Sequence, residues 1–277
     1  MRITFLGTGT SFGVPVVGCG CPVCHSADPR DARLRSSLLV ETARTVLLVD
    51  AGPEFRLQAL RAGLDRVDAV LLTHAHADHI HGLDDLRPLA KGGAIPLWAN
   101  AEAIAETRER FAYVFDEGRG KQEGGGRPRI DTRVAGTGAF AIGDIEVLPL
   151  PLLHGELGVL GWRFGDFAYL TDCSSIPEAT WPLLAGLRFA AIDALRLRPH
   201  CTHFSVGEAL EAARRMGLER TWLTHINHET SHAELEAFCR EAGTDVGAHP
   251  AADGEVFELP PSRGGSPAVL DGKGPSF

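Results

Sequence analysis

No apolar run in the 277 residues approaches the roughly 18 needed to span a bilayer, so a membrane-spanning helix is excluded. The stretch Ile3–Leu6 is too short for a signal-peptide core, and no small-residue cleavage site follows it. Basic residues are in deficit: 27 Lys and Arg against 36 Asp and Glu leave a net charge of −9. A broad cationic surface for nucleic acid is therefore not expected. No short internal repeat occurs. There are only 6 Cys, and those at 19, 21 and 24 crowd together, whereas a disulfide framework spreads its cysteines through a smaller chain. These absences together imply a soluble, cytoplasmic protein without contact to a membrane.

What is present is ordinary globular material: 44% apolar and 23% charged residues, enough to bury a real core without staples. Short apolar runs alternate with helical segments. Strands are expected at Ile3–Leu6, Ser37–Val40, Val46–Asp50, Ala69–Thr73, Ile145–Leu150, Leu160–Phe164, Phe167–Leu170, Phe189–Ile192 and Thr221–Thr224. Helices are expected at Pro53–Ala62, closed by Gly63, and at Ala101–Phe111 behind Asn100. Two more follow capping boxes, Ser205 with Glu208 before Val206–Met216 and Ser231 with Glu234 before Ala233–Glu241. Glu117–Arg129 reads as a Gly-rich loop, and 260–277 as a disordered Pro/Gly/Ser-rich tail behind one domain over 1–259. The class is α+β, with sheet packed against helices.

Chemistry concentrates in Leu71-Leu72-Thr73-His74-Ala75-His76-Ala77-Asp78-His79. Four strong metal ligands fall in six positions directly after a buried strand. Imidazole and carboxylate together suit Zn, Mn or Fe, and a loop at a strand end can splay them toward two neighbouring ions. Partners must come from elsewhere. His154, Asp172 and His225 each stand at the end of an apolar run and supply three.

That order of ligands, with Leu48-Val49-Asp50-Ala51-Gly52 upstream, resembles the metallo-β-lactamase superfamily over roughly residues 1–259. The resemblance implies a four-layer αβ/βα sandwich with two divalent ions at one edge of two facing sheets. It implies that His74, His76 and His154 hold one ion, that Asp78, His79 and His225 hold the other, and that Asp172 bridges them. Asp50 would orient ligands from behind. An Asp at the bridging position departs from the true lactamases, which carry Cys there, and matches the phosphodiesterase branches. The neighbouring Cys173 reads as a small buried hydrophobe.

A second cluster is Gly18-Cys19-Gly20-Cys21-Pro22-Val23-Cys24. Three thiolates at this spacing suit a tetrahedral structural zinc that still needs a fourth ligand. His25 is too close in sequence to chelate comfortably, and His228 in Thr224-His225-Ile226-Asn227-His228 is the better candidate. These features, with Gly7-Thr8-Gly9 leading to Gly13-Val14-Pro15, are similar to the PhnP-like cyclic phosphodiesterases. The resemblance implies a structural zinc on Cys19, Cys21, Cys24 and His228. It also implies a catalytic His in the segment 193–204, matched by His203, with His200 as competitor. Arg196, Arg198 and His200 are the expected substrate-binding residues, the arginines through phosphate oxygens.

The expected reaction is hydrolysis of a small or cyclic phosphodiester, such as a ribose cyclic phosphate. Two Mn or Zn ions about 3.5–4 Å apart would generate the attacking hydroxide, with Asp78 and Asp172 in the catalytic centre. His203 would protonate the leaving alkoxide. Alternatives are a nuclease resembling tRNase Z, against which the net charge argues, and a thioester or lactone hydrolase with the same metals. A metal-binding protein without turnover is disfavoured because all seven ligands are present. A homodimer is left open.

Overall fold

The computed structural model describes residues 1–115 and 126–260. The Gly-rich loop up to residue 125 and the tail beyond 260 lie outside the described residues. Fourteen strands and six α-helices are formed among those described. The strands are β1 (Arg2–Gly7), β2 (Ser37–Glu41), β3 (Val46–Val49), β4 (Ala69–Leu71), β5 (Ile95–Ala99), β6 (Ile130–Val134), β7 (Phe140–Ile142), β8 (Ile145–His154), β9 (Leu157–Phe164), β10 (Phe167–Leu170), β11 (Phe189–Asp193), β12 (Arg220–Thr224), β13 (Ala248–Pro250) and β14 (Val256–Glu258). The helices are α1 (Phe55–Ala62), α2 (Ala77–Ile80), α3 (Ala101–Arg110), α4 (Ala112–Phe115), α5 (Val206–Met216) and α6 (His232–Ala242).

The strands make two seven-stranded sheets, β14-β1-β2-β3-β4-β5-β6 and β13-β12-β11-β10-β9-β8-β7. Ile3, Phe5, Val49 and Leu71 from the first meet Trp162, Tyr169, Ala191 and Trp222 from the second in one buried layer. Leu48, Val70 and Leu97 face α1 and α3 on the outside of the first sheet. Leu170, Ile192 and Leu223 face α5 and α6 on the outside of the second. The result is the αβ/βα sandwich expected from the sequence. β3, β4, β10, β11 and β12 are buried on both faces. That is why β3, β4, β10 and most of β11 read as continuous apolar runs rather than alternating ones.

β3 to β6 are mutually parallel, as are β10 to β13. Parallel strands collect the polar residues that follow them along one edge, where ligands of open α/β sheets ordinarily bind. Asp50 follows β3, His74 follows β4, Asp172 follows β10, Asp193 ends β11 and His225 follows β12.

Candidate metal centre

Three non-glycine residues among those described have a left-handed backbone: Asp50 (φ 59°), Asp172 (φ 53°) and His225 (φ 58°). All three stand just past strand ends and are buried. Such conformations persist only where the surroundings over-determine them, and they concentrate at functional sites. Here each turns a side chain back across the edge of its sheet.

The first donor set comes from the β4–α2 segment. Gly52 and Gly82 let it approach the Asp50 turn. A Cβ on Gly52 would lie 2.1 Å from the Asp78 carbonyl oxygen, and one on Gly82 2.1 Å from that of Gly52. Backbone bonds from Ala51 N–H to His79 O and from Gly82 N–H to Ala51 O, both 2.8 Å, lock the two turns together. Asp50 sits beneath them. It accepts from Thr73 N–H (2.9 Å), the Thr73 hydroxyl (2.9 Å) and His79 Nδ1–H (2.7 Å). Burial pushes its pKa up, opposed by His79 and the Thr73 donors.

The second atoms of these rings are the ones aimed inward. His79 gives its Nδ1–H to Asp50. His74 Nδ1–H donates to the Thr73 hydroxyl at 2.9 Å, and His154 Nδ1–H to the Thr202 carbonyl at 2.7 Å. Each bond fixes a tautomer that leaves Nε2 bare, the usual way a metal-ligating imidazole is held. Nε2 of His74, His79 and His225 is buried without a hydrogen-bond partner. Buried polar atoms are rarely left so, and here they converge. Donor atoms of His74, His76 and His154 lie within 4.8 Å of one another, as do those of Asp78, His79, Asp172 and His225. Asp172 Oδ2 is 3.1 Å from His79 Nε2 and its Oδ1 is 3.1 Å from His225 Nε2. Asp172 also falls within 4.8 Å of His154 and His203. It thus faces both donor sets, and the set fits a pair of divalent cations.

Electrostatics agree with that fit. Burial alone would raise Asp172, but His225 and His79 outweigh it and hold the carboxyl far below its ordinary value. Burial would lower His79 and His225. Asp172 outweighs it at both, raising His79 strongly and His225 to about 9. His74, buried and close to His79, is pushed down and stays neutral. The carboxylates therefore favour positive charge at this point of the edge.

The thiol cluster assembles around His228 as the sequence suggests. His228 Nδ1 lies 3.3 Å from Cys19 Sγ, 3.4 Å from Cys21 Sγ and 3.5 Å from Cys24 Sγ. A tetrahedral zinc with ordinary bond lengths would set sulfur and nitrogen about 3.6 Å apart. His25 turns away and pairs with the Cys21 carbonyl at 3.2 Å. Cys173 is fully buried. No disulfide forms; the cysteines are free.

His203 Nδ1 is 2.7 Å from Asp193 Oδ2, and its ring centroid is 4.6 Å from those of His154 and His225. Asp193 is fully buried and also accepts from Cys173 N–H at 2.8 Å. Sequence reasoning gave Asp193 no role. Its signal was the one shared by Asp50 and Asp172, an Asp closing an apolar strand. His200 lies one ring further out, 5.3 Å from His203. Arg196 and Arg198 both bind Glu229, at 3.1 Å and 2.8 Å, an assignment to a protein carboxylate that the sequence did not suggest.

Residues 45–226 match the model of the beta-lactamase superfamily domain. The chain belongs to the metallo-β-lactamase superfamily. Within the superfamily it falls in the PhnP branch. It is 39% identical to a diphosphatase from the PhnP family, with a TM-score of 0.84 covering 94% of this chain and 98% of that one. The zinc-bound PqqB of Methylobacterium extorquens shares the fold at 20% identity, TM-score 0.78, covering 94% and 100%. An octanoyltransferase of Porphyromonas gingivalis is 40% identical over 238 residues, 85% of this chain but 47% of that protein. The chain spans about half the length of the curated relatives it matches. No helix among the described residues is long and apolar enough to cross a membrane.

Proposed function

We propose that the protein is a binuclear metal-dependent hydrolase of phosphoric diesters, acting on a small or cyclic phosphate ester. The observation that carries this reading is the buried Asp172 carboxylate, whose two oxygens face His79 and His225 and which also reaches the His154 side. His74, His76 and His154 would hold one ion and Asp78, His79 and His225 the other, with Asp172 shared. When bound, two such ions supply an ionised water and neutralise charge on phosphate oxygens in an in-line displacement. Imidazole and carboxylate accept Mn or Zn, whereas Cys19, Cys21, Cys24 and His228 would select zinc.

His203 is the proton donor in this reading. Asp193 takes its Nδ1–H and orients the ring, leaving Nε2 toward the leaving oxygen, the arrangement of a carboxylate-oriented imidazole. His200 serves less well. Burial and the neighbouring His203 push its pKa down, and its Nδ1 is engaged with Thr202. Arg196 and Arg198, held by Glu229, act on the protein rather than on phosphate.

That the 39% identical relative is a diphosphatase supports displacement at phosphorus, since a diphosphate and a diester present the same centre to attack. A thioester hydrolase is the second reading, prompted by the octanoyltransferase name. That name belongs to a protein about twice as long, and acyl transfer need not reside in the matched half. A substrate panel decides. Mn- or Zn-loaded protein is expected to hydrolyse bis-p-nitrophenyl phosphate and a ribose cyclic phosphate, and to leave an octanoyl thioester intact. Thioester cleavage without phosphodiester cleavage would reverse the two readings.

A further inference from the structure

Residues 194–205, between β11 and α5, form no regular element, yet they carry His203 and the Thr202 carbonyl that orients His154. The base of this loop is closed by backbone bonds, Leu195 N–H on Phe204 O (3.0 Å) within the loop and Phe204 N–H on Cys173 O (2.7 Å) to the segment after β10. Its tip is held by side chains. Arg196 donates to the Pro199 carbonyl (3.1 Å) and the Arg198 carbonyl (3.3 Å), and with a third N–H to Glu229 Oε1 (3.1 Å). Arg198 adds a fork to the same carboxylate, 2.9 Å to Oε2 and 2.8 Å to Oε1.

Glu229 is itself anchored. It follows His228, which the three thiols surround. Its N–H donates to Asn227 Oδ1 at 2.9 Å, and Asn227 N–H returns to Leu195 O at 3.0 Å. One carboxylate thus ties the tip of the loop to the segment that the thiol cluster pins. An isolated exposed ion pair would contribute little, but a bidentate Arg and a second Arg converging on one anchored carboxylate form a network with defined geometry.

We propose that Glu229 is a positioning residue: it sets the His203 loop against the metal edge, and the Cys19, Cys21, Cys24 and His228 cluster acts as its footing. The inference rests on the role given to His203 above. It makes the thiol cluster part of the catalytic geometry rather than a remote staple. The expected consequence is selective. Releasing the tip moves His203, while Asp78 and His79 stay on α2 and Asp172 and His225 stay just past β10 and β12.

The test uses Glu229→Gln and Glu229→Ala in the full chain, with zinc and catalytic metal content checked first. Hydrogen exchange of the amides of 199–204 should speed up in both variants, more in Ala than in Gln, while β10 and β12 stay protected. kcat on an alkyl-leaving phosphodiester should fall about 10-fold, part of the roughly 10²–10⁴-fold that a general acid is worth. kcat on bis-p-nitrophenyl phosphate should change less than about twofold, because its leaving group departs without a proton. Unchanged exchange would overturn the clamp. Faster exchange with equal losses on both esters would overturn the positioning of His203. If His203→Ala itself shows no leaving-group dependence, the reading of His203 fails, while the exchange data still decide whether Glu229 holds the loop.

Discussion

His203 and Asp193 make the sharpest statement at the scale of single residues. Their 2.7 Å contact makes the His203 imidazole an oriented proton donor. His203→Ala should cost about 10²–10⁴-fold in kcat on a ribose-type ester and far less on a nitrophenyl ester. Equal loss on both, read from steady-state kinetics, would assign His203 to phosphate binding instead. A second residue-scale prediction concerns His232, which belongs to neither donor cluster. Its Nδ1 accepts from the buried Arg33 guanidinium at 3.0 Å, so a proton there would set two cations together. Burial, reinforced by Arg33, lowers its pKa from 6.5 to about 4. Between these values the unfolded chain binds the extra proton, so the contribution of His232 to stability rises with pH from about 4 to 6.5 and is lost on acidification. Urea midpoints measured across that window should fall toward pH 4, and His232→Gln should flatten the fall; an unchanged slope in the variant would remove His232 from the balance. The ligand residues were readable in the sequence because four donors in six positions have no bland explanation. The partners of Arg196 and Arg198 were not. An exposed charge takes whichever opposite charge the tertiary fold brings near, and Glu229 is about thirty positions away.

At the scale of elements, local chemistry fixed what it could reach. The capping boxes at Ser205 and Ser231 both form and place α5 and α6 within a residue of expectation. The Asn100 cap forms as well, with its Oδ1 accepting from Ala103 N–H at 2.7 Å. α1 begins at Phe55, two residues past the expected Pro53, because Glu54 takes the cap position. The strands that sequence reading omitted are β5, β6, β7, β13 and β14. β7, β13 and β14 have three residues each, too few to show a period, and exist through pairing with a neighbour. β8 runs on to His154 although Pro149 and Pro151 argue against it. β7 stops pairing at Val147, so the prolines meet no strand on that side. The Gly52 turn shows the same dependence on tertiary contact. Gly52→Ala would drive a Cβ into the Asp78 carbonyl and push the β4–α2 segment off the Asp50 turn. Catalytic-metal affinity, measured by chelator competition, should weaken by about 10-fold or more, as expected when a group supporting metal ligands is disturbed. Unchanged affinity would show that the two turns need not touch.

The whole molecule is two half-sandwiches sharing a buried seam, and the proposed active edge is drawn from both. His74, His76, Asp78 and His79 come from the first sheet's side; His154, Asp172, His203 and His225 come from the second. Neither half carries the site alone. Asp172 is the residue through which the two donor sets meet, so the central claim is tested there. Asp172→Asn keeps the shape and removes the charge. Catalytic-site metal should be counted by elemental analysis beside steady-state hydrolysis of bis-p-nitrophenyl phosphate, in the parent and in the variant. Expected are two ions besides one at the thiol cluster in the parent, loss of at least one of the two in the variant, and a fall in kcat of about 10³-fold or more, since the metals would supply both nucleophile and charge neutralisation. A variant that binds both ions and turns over at near the parent rate would contradict that claim.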